Sequence, residues 1–165
     1  MLALLLAASV CGCKRLPNPD ADEVARALMH LDRAHRPAGE DLPIERYFAW
    51  VAEKDAGKLA AADHTARLAR LCDDQKALVE RLEALRTRSD DALLVLEAYL
   101  GAHVKAHHGM EEVLLARKGG DPARAAQAEA EVRAAMEDLQ AARRKRAEVE
   151  ARYEVRPAEA GSLSK

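Results

Sequence analysis

The segment Lys118-Gly119-Gly120-Asp121-Pro122 constrains the fold of this chain more than any other feature. Its glycines can adopt the left-handed conformation that ends a helix, its aspartate can cap a new one, and proline suits the first helical position. Proline-free arms of about 30 residues flank it, each roughly 45 Å long at 1.5 Å per residue. On the first arm Leu93, Leu96, Leu100, His103, His107, Met110 and Leu114 recur at alternating steps of three and four. On the second, Val132, Ala135, Leu139, Ala142, Arg146, Val149 and Tyr153 do the same. Two matched arms, matched seams and a short turn predict an antiparallel helical hairpin, coiled-coil-like in its spacing.

Composition agrees. The 165 residues are 49% hydrophobic but only 3% aromatic. Alanine and then leucine make up most of the apolar fraction, and with Glu, Arg and Lys these are the strong helix formers. A sandwich or barrel is excluded on this composition, and the length suits one domain. A third of the residues are charged, yet the net charge is −2. That balance gives no overall attraction to nucleic acid or to anionic lipid.

The remaining helices follow from caps and stops. Asn18-Pro19-Asp20 starts one, with Val24, Leu28, Leu31 and His35 on its apolar stripe and Pro37 ending it. Asp41-Leu42-Pro43 starts a second, with Ile44, Tyr47, Phe48 and Val51 on one stripe and Gly57 at its end. From 58 to 118 there is no proline, and Leu68, Leu71, Leu78, Leu82 and Leu85 form another stripe. It is out of phase with the seam that begins at Leu93. This stretch is one long helix with a local unwinding or two helices joined near 86–91, and two is the favoured reading. The fold class is therefore all-α: an elongated helical bundle built around the long hairpin, spanning 20–156, with a polar tail at 157–165.

The first residues read as an address. MLALLLAASV is an uncharged apolar run, too short to span a bilayer and of the length of a signal-peptide core. Val10-Cys11-Gly12-Cys13 follows, and this resembles the lipobox of bacterial lipoproteins: an aliphatic residue, then a small residue, then the cysteine. The resemblance covers about 13 residues. It implies cleavage after residue 12, lipidation of Cys13, and a tether over 13–19 holding the body near the membrane. More than one acyl chain makes such an anchor stable. With Lys14, not aspartate, after the cysteine, the resemblance further implies the outer membrane as the expected address, facing the periplasm. An ordinary cleaved export signal is the plain alternative. With Cys13 lipidated and Cys11 removed, Cys72 stands alone, as a core residue or as one half of an intermolecular disulfide.

Chemistry concentrates in one segment. His103, His107 and Glu111 lie four apart, on one helix face, and could hold zinc or another transition metal. The alternative is that His103 and His107 are polar members of the seam. No Glu-x-x-His or Cys-x-x-Cys-His motif accompanies them, and His30, His35 and His64 read as isolated. Arg143-Arg144-Lys145-Arg146 reads as a solvated helix face with nearby acidic partners. Tyr47, Phe48 and Trp50 fall within one turn and read as anchors of the second helix on the bundle; the alternative is that Trp50, pointing away from the Tyr47/Val51 stripe, offers a partner contact. No nucleophile constellation or phosphate-binding loop is present, and no small-molecule substrate suggests itself. The expected role is non-catalytic and cofactor-free: a lipid-anchored periplasmic spacer, adaptor or assembly factor that binds an envelope protein or a second copy of itself. The alternative role is a metal- or stress-responsive bundle using the His103/His107/Glu111 face.

Overall fold

The computed structural model describes residues 19–36, 41–57 and 61–155. Within them the chain forms five helices: α1 (Pro19–His35), α2 (Pro43–Asp55), α3 (Ala61–Glu83), α4 (Asp90–Lys118) and α5 (Pro122–Tyr153). No strand occurs among the described residues. The signal segment, Cys13, most of the tether and the tail all lie outside them.

The expected punctuation is where the helices begin and end. The Asp121 side chain accepts the Arg124 amide at 2.9 Å to cap α5, with Pro122 in its first turn. Gly120 takes the left-handed conformation at φ +70°, which closes the turn after α4. The described stretch 61–118 is two helices, and Ser89 caps the second by accepting the Ala92 amide at 3.3 Å. A proline opens each of α1, α2 and α5.

The pairings between elements define the arrangement. Lys105 meets Asp138 at 2.7 Å, Arg124 meets Glu112 at 2.6 Å, and Arg152 meets Asp91 at 2.7 Å, so α4 and α5 run antiparallel. This hairpin forms the most extensive interface in the molecule. The short 84–89 connection folds α3 back against α4. Contacts of α1 and α2 fall in series along both neighbours. On α3 they reach Arg81 through the Ala34 carbonyl, then Asp74 through Arg46, then Arg67 through Glu53. On α5 they reach Arg146 through Asp32, Arg143 through Glu45, and Glu129 through Lys54. The two short helices thus lie end to end and fill one corner of an up-down-up-down bundle. The break between them falls halfway along it.

The core holds Val24, Leu28 and Leu31 from α1, Ile44, Tyr47 and Trp50 from α2, and Leu68, Leu71, Leu78 and Leu82 from α3. From α5 come Val132, Ala135, Leu139, Ala142 and Val149, most of the expected stripe. The seam on α4 differs from expectation. Leu96, His103 and Met110 are buried, but Leu93 is 40% exposed and Leu100, His107 and Leu114 are only partly covered. Val95, Tyr99, Ala102, Ala106, Gly109 and Val113 face inward instead. A helix with neighbours on both flanks and a third across the core buries a broad arc, not one two-residue seam. Gly109 marks the closest approach of the hairpin. A Cβ there would stand 2.8 Å from Val132 Cγ2 and 3.2 Å from the Val132 amide nitrogen.

Candidate functional site

Three polar side chains converge inside this otherwise apolar interior, at the level of the α1–α2 break. His35 closes α1, Gln75 sits midway along α3, and His103 midway along α4. Their exposures are 8%, 0% and 0%. Gln75 Nε2 lies 3.0 Å from the His103 carbonyl oxygen and 2.9 Å from His103 Nδ1, and the two Nε2 atoms of His103 and His35 are 2.9 Å apart.

Hydrogen-bond logic assigns the protons. A carbonyl oxygen only accepts, so the atom facing it must be the amide nitrogen of Gln75. Its second hydrogen then goes to His103 Nδ1, which must be bare. Neutral His103 therefore carries its hydrogen on Nε2 and donates it to His35 Nε2, which leaves the His35 hydrogen on Nδ1. The His35 ring also meets Tyr99 edge-on, with centroids 4.9 Å apart.

The surroundings keep both rings neutral. Burial, then the positive charges of Arg143, Arg36 and Arg146, push His35 down to about 4, against a small opposing effect of Glu45. Burial, then the neighbouring His35 and Arg143, push His103 down to about 3. Each nearby carboxylate is engaged by arginine. Glu45 pairs with Arg36 at 2.8 Å and Arg143 at 2.9 Å, Asp74 with Arg46 at 2.8 Å, and Asp32 with Arg146 at 2.9 Å. His35 also borders a cleft of about 180 Å³ whose described lining includes Leu42, Pro43, Arg46, Asp74 and Arg81.

The alternative metal face does not assemble. His103 points inward with both ring nitrogens occupied, whereas His107 sits on the flank, 3.5 Å from Glu111. Among the described residues no group of three or more His, Cys, Asp or Glu side chains is placed to hold a metal ion. Residues four apart are rotated by about 40° around a helix, and at the edge of a buried arc that rotation separates an interior histidine from a flanking one.

One further expectation is corrected, and of the two readings of Cys72 the structure favours the core residue. Trp50 is fully buried, packed on Tyr47 at 5.5 Å between ring centroids, with the Arg117 guanidinium 5.1 Å and the Lys54 ammonium 5.8 Å from its ring. It is a core residue and not a surface contact, because α2 packs into the bundle along Ile44, Tyr47 and Trp50. Cys72 is buried as well, and burial raises its thiol to about 12. Its sulfur is not presented to another chain. The basic run is partly structural: Arg143 reaches Glu45, and Arg146 joins Asp32 on α1 to Glu150.

His35 and Gln75 were missed as site residues, although a signal existed. Each is a polar residue on an apolar stripe, Gln75 between Leu71 and Leu78 and His35 after Leu31. Together with His103 they make three polar intrusions on three helices. Buried polar groups need partners, so such intrusions tend to find one another.

Comparison of the chain with family models, curated proteins and solved structures finds no match.

Proposed function

We propose that this chain is a lipid-anchored protein of the bacterial envelope, held at Cys13 on the periplasmic face, preferentially of the outer membrane. Its bundle acts by contact with other envelope proteins, as spacer, adaptor or assembly factor, without catalysis or a cofactor. The observation that carries the reading is the apolar run ending in Val10-Cys11-Gly12-Cys13. No helix among the described residues is long and apolar enough to cross a membrane, so attachment in this reading rests on Cys13.

Mass spectrometry of the mature N-terminus tests it. The expected species begins at Cys13 and carries diacylglyceryl and acyl mass, and Cys13→Ser shifts the protein from the membrane to the soluble fraction. An unmodified Cys13, or a Cys13→Ser protein still in the membrane fraction, overturns the reading. The responsive-bundle alternative is favoured by one observation, the buried histidine pair, but with His35 and Gln75 as partners of His103 in place of His107 and Glu111.

A further inference from the structure

We propose that His35, His103 and Gln75 form an acid-sensitive latch that clasps the end of α1 onto α3 and α4 and opens when an imidazole is protonated. The geometry leaves no place for an added proton. His35 Nδ1 and His103 Nε2 already carry hydrogens. A proton taken from water onto His35 Nε2 forms a new N–H bond that faces the His103 Nε2–H across 2.9 Å. A proton on His103 Nδ1 faces the Gln75 amide hydrogen across the same distance. Either event replaces an attraction with a repulsion between donors, among side chains that are almost wholly buried.

Compensating charge is scarce around the pair. From α1 the neighbours are Asp32 and Arg36, from α2 Glu45 and Arg46, from α3 Asp74 and Arg81, from α4 Tyr99, and from α5 Arg143 and Arg146. The three carboxylates are already paired with arginines, and Arg81 donates to the Ala34 carbonyl at 3.1 Å. Asp41 is exposed at the border of the cleft. An imidazolium here meets mostly positive charge. The cheapest relief is to swing His35 into water.

The element carrying His35 is the one best suited to move. The α4–α5 hairpin has the most extensive interface, whereas α1 and α2 are short, 17 and 13 residues, and pack over smaller interfaces. Opening at the end of α1 would uncover the inner faces of α3 and α4 around Gln75 and His103. The latch is independent of anchoring at Cys13: it concerns the bundle whether or not the chain carries lipid.

Hydrogen exchange of the full chain at pH 7.5 and pH 5.0, corrected for intrinsic exchange rates, tests it. With His35 shifted from 6.5 to about 4, opening that exposes this ring alone becomes about 30-fold more favourable at pH 5.0. The expected result is faster exchange in α1 and α2 by a factor of that order, with a smaller change in the middle of α5. A His35→Gln/His103→Gln variant should lose this pH dependence, and a His107→Gln/His108→Gln variant should keep it. Uniform acceleration across all helices, or no selective change in α1 and α2, overturns the proposal. Should the double variant fail to fold, nitrogen-15 NMR of the native chain decides. Bare Nδ1 on His103 and bare Nε2 on His35 are expected at pH 7.5, and an imidazolium signal from either ring in the closed bundle at pH 5.5 overturns the latch.

Discussion

Two glycines eight residues apart in α4 should respond oppositely to the same substitution. At Gly101 an added Cβ meets nothing within 4 Å. Gly101→Ala therefore gains the helix-propensity difference, about 1 kcal/mol, at no packing cost. At Gly109 the same methyl meets Val132 Cγ2 at 2.8 Å, the Val132 amide nitrogen at 3.2 Å and the Ala128 carbonyl oxygen at 3.4 Å. Valine is branched at Cβ and stiff about χ1, and the other two atoms are backbone, so α5 itself must retreat. Overpacking of this kind costs roughly 1–3 kcal/mol. Set against the same propensity gain, Gly109→Ala ends about 1 kcal/mol less stable than the parent, and the two variants differ by about 2 kcal/mol. In urea, with a slope of about 2 kcal/mol per molar, the midpoints should move by about 0.5 M in opposite directions at unchanged slope. A Gly109→Ala protein as stable as Gly101→Ala would refute the close approach of α4 and α5. Val132→Ala should relieve the Gly109→Ala penalty, so the pair should be non-additive.

Stability should also depend on acidity. The His35 value lies below its ordinary one, so the folded chain binds fewer protons than the unfolded chain. Stability is then intact above about pH 6.5 and declines as pH falls toward 4, by roughly 3 kcal/mol from this residue, read as a falling melting temperature. A flat melting temperature between pH 7 and 4.5 would count against a neutral buried pair. Asp121→Ala and Ser89→Ala each remove a helix cap and should each cost about 1 kcal/mol in chemical denaturation. Cys72 should react with a thiol reagent only on unfolding, because its thiol is buried and held largely protonated; prompt labelling of native protein at pH 8 would contradict its placement. A double-mutant cycle between Asp32→Asn and Arg146→Met should show coupling of about 1 kcal/mol, since the arginine is largely covered and bridges α1 to α5. No coupling would mean that the ion pair does not hold α1.

What the chain determines locally was legible before any packing was known. Proline at helix starts, Asp121 as a cap, and the Gly119-Gly120 turn act through their nearest neighbours, so these helix boundaries and the hairpin follow from residues within one turn. The stripes on α1, α3 and α5 were legible too, because each of those helices buries a single face. Only the tertiary structure decided the inward arc of α4, the burial of Trp50 and Cys72, and the meeting of His35, Gln75 and His103. Periodicity describes one helix about its own axis, whereas burial depends on where the other helices lie. A histidine that looks isolated in the chain, and one that looks like part of a surface metal face, become hydrogen-bonded partners once two broken helices are laid across the same corner of a bundle.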